Sequence, residues 1–143
     1  MREGGPDRDF RLGYLVHVLT DLHWSDTLYR IFWHRYAACG APEDGRKRAY
    51  YNDTDQLDFL LYESAPWREE LWDKLSAARG CDIPGMITAA EADAWNERTL
   101  HWFDSGKSRH SGGIFYINEH ELCAFIGHTA VWTERYLREK NII

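Results

Sequence analysis

Phe10-Arg11-Leu12-Gly13-Tyr14-Leu15-Val16-His17-Val18-Leu19-Thr20-Asp21 reads as one amphipathic helix. Leu12, Leu15, Leu19 and Leu22 recur at intervals of three and four, which places them along a single helical face. Phe10, Tyr14, Trp24 and Leu28 flank the opposite side, where Gly13, His17 and Asp21 follow one another at four-residue steps. A helix that is apolar on both sides is expected to be buried, and with it the histidine and the carboxylate.

Outward from this helix the same periodicity continues. Residues 1–7 carry Gly4-Gly5-Pro6 and read as a loose lead-in, with the helical pattern starting at Arg8. Ser25-Asp26 can cap a second helical segment holding Leu28, Ile31, Phe32 and Tyr36, ending near Gly40 with Pro42 beyond. Ala41 to Arg48 reads as a polar loop, followed by Tyr50-Tyr51-Asn52-Asp53-Thr54-Asp55, a turn in which Asp53 or Thr54 caps a helix through Leu57, Leu60 and Leu61. Pro66 suits the first turn of a helix capped by Ser64 and running to Gly80. Pro84-Gly85 marks a turn. Thr88 with Glu91 forms a capping box at the head of a helix through Trp95 and Phe103. Gly106 to Gly113 is a polar loop and Ile114 to Ile117 a short extended piece. Asn118 with Glu121 opens a last helix to about Lys140, with Leu122, Phe125, Ile126, Thr129, Trp132 and Tyr136 facing the core. The expectation is an all-α chain, a single-domain bundle of five or six helices over residues 1–143.

Composition narrows the function classes. The chain has 143 residues, enough for one domain with a core, and its 44% hydrophobic and 28% charged content excludes a disordered chain. The net charge of −6 and a single basic cluster, Arg46-Lys47-Arg48, argue against a nucleic-acid partner. No apolar run is long enough for a membrane span, and no charged-then-apolar start marks a secretory signal. Cys39, Cys81 and Cys123 are widely spaced and odd in number, so free, buried thiols and a cytoplasmic location are expected. Five tryptophans, at 67, 72, 95, 102 and 132, sit at helical spacings and are expected mostly in the core.

His17 and Asp21 are the candidate metal ligands. Zinc takes imidazole nitrogen and carboxylate oxygen, and a four-residue helical step lets both reach one ion or two adjacent ions. Spacing alone leaves two other roles open: a hydrogen-bonded pair that fixes helix packing, and Asp21 as a cap for the following segment. Asp53, Asp55 and Asp58 lack the spacing of a calcium loop. Ser105-Gly106-Lys107-Ser108 lacks the full phosphate-loop spacing. His101, His110, His120 and His128 lack a ligand-like partner four residues on.

The stretch from Phe10 to Asp21 resembles the G-Y-x-x-H-x-x-x-D helix of the zinc-dependent phospholipase C family, an all-helical group related in fold to the S1/P1-type nucleases. Bacterial relatives of undetermined activity share a Tyr-Tyr-Asn-Asp-Thr-Asp stretch followed by Leu57-Asp58, and a closing helix similar to that from Glu121 to Tyr136. The resemblance implies a metal-dependent phosphoester hydrolase with zinc as cofactor, His17 and Asp21 as ligands, and a small phosphoester as substrate. The family's upstream ligands, an Asp in a G-x-x-x-P-D-like segment and a His in an S-H-like segment, have no counterpart here, so the chain reads as N-terminally short. His23 follows Asp21 too closely to share its face, and His34 and His128 are followed at four residues by Ala38 and Trp132 rather than by a carboxylate. The implied site is therefore incomplete: one ion held partly by water, or a decayed site. The alternative is a non-catalytic helical interaction or ligand-binding protein on the same scaffold, with a second copy of the chain, a homo-oligomer, as the simplest partner.

Overall fold

A computed structural model describes residues 6–104 and 113–143, with side chains from Arg8 onward. The described residues form six α-helices: α1 (Pro6–Asp26), α2 (Leu28–Ala38), α3 (Arg46–Ser64), α4 (Arg68–Ala77), α5 (Ala89–Leu100) and α6 (Glu119–Glu139). A 3-10 turn, Glu43–Gly45, leads into α3. Among the described residues no strand forms, and the only β-bridge pairs Ile83 with Ile87 inside a turn. The all-α expectation holds. No described helix is long and apolar enough to cross a membrane.

Several boundaries differ from the periodic pattern. The first helix begins at Pro6, where a proline without an N–H fits the first helical turn, so residues 6 and 7 are not part of a lead-in. Helix α1 runs through Ser25 and Asp26, which therefore cap nothing. The break falls at Thr27, whose hydroxyl bonds back to the His23 carbonyl at 2.6 Å, an arrangement that bends helices. Helix α2 ends as expected, with Gly40 left-handed at φ 65° directly after the cap. Helix α3 starts at Arg46, not at Asp53 or Thr54, and absorbs the last three residues of the supposed loop and the whole of the supposed turn at residues 50–55. Helix α4 starts after Trp67 and stops at Ala77. Ser64 bonds back to the Leu60 carbonyl at 2.6 Å and caps nothing. Both capping boxes, Thr88 with Glu91 and Asn118 with Glu121, are formed. The loop expected from Gly106 lies outside the described residues up to Gly113.

The core lies among α1, α2, α3, α6 and the segment before α6. Phe32, Leu57 and Ile117 are almost wholly enclosed, with Leu28, Tyr36, Leu122 and Phe125 around them. Each such side chain contributes about 1.5–3 kcal/mol on burial, so this cluster carries most of the fold. In α6 the buried face is Leu122, Phe125, Thr129, Thr133 and Leu137, while Ile126, expected inside, is 42% exposed.

Helices α4 and α5 pack on each other and bury no residue fully. They join the rest through an aromatic cluster in which Phe103 stacks on Tyr62 with centroids 4.0 Å apart and Trp72 closes on both. Gly80 is required where the two helices meet: a Cβ there would stand 2.5 Å from the Ala89 carbonyl oxygen. Trp67, Trp95 and Trp102 are exposed, contrary to their expected core role, because nothing described covers the outer faces of this hairpin. Cys39 and Cys123 are likewise exposed rather than buried.

Candidate functional site

Helix α1 turns one stripe inward and leaves the other open. Leu19 is buried, and Leu12, Leu15 and Val16 are half-buried beside it. His23 continues this stripe. Its Nδ1 lies 2.7 Å from the Thr129 hydroxyl of α6, and its ring packs against Phe125 and Trp132. This is the histidine that α1 turns inward, and the sequence signal for it was its place at the end of the Leu12–Val16–Leu19 series.

His17 and Asp21 are brought together, as expected, but they are not buried. His17 Nε2 lies 3.4 Å from Asp21 Oδ2, and both side chains are 67% exposed. No described element covers His17 and Asp21 themselves, and the flanking Tyr14 stays exposed as well, while Trp24 one turn on packs against Phe125. The expectation of a buried pair fails because an apolar flank on a helix does not by itself recruit a covering element.

The separation bears on metal binding. Zinc–nitrogen and zinc–oxygen bonds run to about 2.0–2.2 Å, so two ligands on a tetrahedral ion stand about 3.3–3.6 Å apart. The separation of the pair equals the length of such an edge. Among the described residues no group of three or more His, Cys, Asp and Glu side chains is placed to hold an ion. The residues present therefore fit two positions of a metal's coordination and leave the others to water or to another source.

The buried carboxylate of this molecule is instead Asp53, fully enclosed on α3. Its Oδ1 accepts from the Phe115 N–H at 3.1 Å, and its Oδ2 accepts from the Tyr116 and Ile117 N–H groups at 2.6 and 3.0 Å. Asn52 donates to the same carboxylate at 3.1 Å. Asn52 and Gln56 also both donate to the Gly113 carbonyl. Arg35 of α2 completes the arrangement from the other side. It donates to the Tyr116 carbonyl at 2.6 Å and grips Glu121 with two parallel bonds of 2.6 and 2.8 Å. The bond to Arg35 holds the Glu121 carboxyl below its ordinary value and raises the Arg35 guanidinium. Every oxygen of Asp53 is occupied by the protein, so this cluster is structural. It was legible only as a polar residue four positions before Leu57 on the apolar face of α3, and the turn expected there concealed it.

Asp58 lies further along α3. Its surface is exposed, yet neighbouring protein strips water from the carboxyl and, with the charge of Asp55, pushes it up to about 6. Its charge also reaches Tyr50, whose hydroxyl accepts from Trp24 Nε1 at 2.7 Å. Trp24 stands one turn after Asp21 on α1, so the Trp24–Tyr50 bond ties the open face of α1 to α3. His101, at the end of α5, is held between Asp104 at 2.6 Å and Glu97 at 3.1 Å, and the bond to Asp104 raises its pKa. Its two nitrogens point to different carboxylates, so they do not converge on one ion.

Compared with protein-family models, with curated proteins and with solved structures, the chain gives no match.

Proposed function

We propose that this chain supplies part of the metal site of a metal-dependent phosphoester hydrolase, with His17 and Asp21 as ligands to zinc. The supporting observation is the 3.4 Å separation of His17 Nε2 and Asp21 Oδ2 on an open helical face, the spacing of two ligands on one ion. A zinc ion held there would activate a water for attack on phosphorus and neutralise charge on the phosphoryl oxygens. His17 presents a nitrogen that solvent and substrate can reach, and Asp21 supplies the negative oxygen.

The test is hydrolysis of a chromogenic phosphodiester by protein loaded with zinc, with His17→Ala and Asp21→Ala in parallel. The expected result is zinc-dependent turnover that falls at least a hundredfold in both variants, while Arg138→Met, on the surface pair with Glu134, keeps the full rate. Equal rates in all four proteins, or none in any, contradict the proposal.

One observation favours a non-catalytic binding role on the same scaffold. A groove of about 380 Å³ between α1 and α6, lined by Val16, Phe125, Ile126, Ala130 and Leu137, is almost wholly apolar. Such grooves take apolar ligands or an amphipathic helix.

A further inference from the structure

We infer that the groove between α1 and α6 binds a small, neutral, mostly aliphatic molecule that carries one hydroxyl or carbonyl group, held by the Thr133 hydroxyl. The inference rests on the groove reading given above and names its ligand. It is independent of His17 and Asp21, neither of which lines the groove. Phe125, Ile126, Ala130 and Leu137 of α6, Val16 of α1 and Ile143 make the walls. At about 380 Å³ the groove lies at the small end of ligand pockets. A dry cavity of about 150 Å³ takes one benzene ring, so this volume suits a ligand of about ten to fifteen non-hydrogen atoms.

The polar atoms at the groove decide the rest. Thr133 lines it and is 5% exposed. Among the described residues, its hydroxyl is the one buried side-chain polar atom without a hydrogen-bond partner. Other threonines find partners. Thr20, also at the groove, donates to the Val16 carbonyl, and Thr27, Thr54 and Thr99 likewise bond to the carbonyl four residues back. The Thr129 hydroxyl meets His23 Nδ1 at 2.7 Å. A buried hydroxyl without a partner is unfavourable, and a ligand oxygen beside it supplies the missing bond. Charge sets the ligand's neutrality. None of the lining residues is a lysine or an arginine, and the one carboxylate, Glu134, pairs with Arg138 at 2.7 Å. A buried anion would find no counter-charge there, whereas an alcohol or a ketone needs none.

The experiment is a methyl NMR titration of the full chain with n-decanol, with decanoate and dissolved xenon as comparison probes. The expected result is saturable decanol binding, with shifts concentrated at Val16, Ile126, Ala130, Leu137 and Ile143. Decanoate should bind at least about tenfold more weakly. Ala130→Trp, at an exposed position on the groove wall, should weaken decanol and xenon at least about tenfold with helical circular dichroism unchanged. Thr133→Val keeps the shape of the side chain. It should weaken decanol about fivefold, while xenon, which makes no hydrogen bond, binds at least as well. Decanol bound equally by Thr133→Val, decanoate bound as tightly as decanol, or xenon bound without decanol overturns the ligand assignment and leaves the groove reading standing. No binding of decanol or xenon by wild type, or binding that Ala130→Trp leaves unchanged, overturns both.

Discussion

Two carboxylates on neighbouring helices met opposite fates. Asp53 is enclosed on α3 and accepts four hydrogen bonds from the protein. Asp21 stands on the open side of α1 with His17 as its neighbour and water around both. The first has no capacity left for a ligand. The second has almost all of its capacity free. A carboxylate saturated by backbone N–H groups is a structural fastener, because any ligand would have to displace bonds that the fold needs. An exposed histidine–carboxylate pair adds little to stability, since surface ion pairs contribute about 0–1 kcal/mol and this one is charged only when the imidazole is protonated. Its availability is therefore its main property.

Mutations sharpen that contrast, beginning with the fastener. Asp53→Ala would leave the Phe115, Tyr116 and Ile117 N–H groups without acceptors and should cost about 3–5 kcal/mol in chemical denaturation. A cost below about 1 kcal/mol would mean that Asp53 is not what holds the segment before α6.

Arg35→Met should cost about 1 kcal/mol, because the paired hydrogen bonds to Glu121 are partly solvent-exposed. The Glu121 carboxyl is held below its ordinary value of 4.5. Its contribution is therefore present above that value and lost as the pH falls through the lower folded-state value. Stability measured against pH should show the Arg35→Met penalty shrinking below about pH 4.5 toward the part owed to the Tyr116 carbonyl, which does not titrate, and a penalty that grows on acidification would contradict the assignment.

Asp58→Asn works in the other direction and is smaller. The Asp58 carboxyl is raised to about 6 in the folded chain from an ordinary 3.8. Its protonated form is thus favoured by folding. The stability it gives is present below 3.8 and lost as the pH rises through about 6. The variant should be more stable than wild type above pH 6, by less than about 1 kcal/mol given the exposed carboxyl, and the gap should close toward pH 4. A variant less stable than wild type at pH 7 would refute this. His17→Ala should change stability least, within about 0.5 kcal/mol by thermal unfolding, because the side chain is exposed.

Much of the fold was legible in the sequence. The Leu12–Leu15–Leu19–Leu22 stripe and the two capping boxes placed α1, α5 and α6, because helical period and box residues are local signals, but Leu22, expected with the stripe, is 59% exposed. The start of α3 was not legible. Asp53 has the chemistry of a cap, and only its bonds to residues more than 60 positions away explain why it sits inside a helix. The exposed tryptophans at 67, 95 and 102 follow from the same limit: periodicity gives a face, and what covers the face is decided by the rest of the chain. So it was with the candidate site. The spacing of His17 and Asp21 correctly put them on one side of α1, while their exposure depended on the absence of a described element opposite.

The most direct measurement is a zinc titration followed at the imidazole nitrogens of all seven histidines by long-range ¹⁵N NMR. The account predicts that His17 responds first, below one equivalent, and that His23 and His101 respond only at higher zinc, held as they are by Thr129 and by Asp104 with Glu97. A His17 signal that stays still while another histidine binds would contradict it.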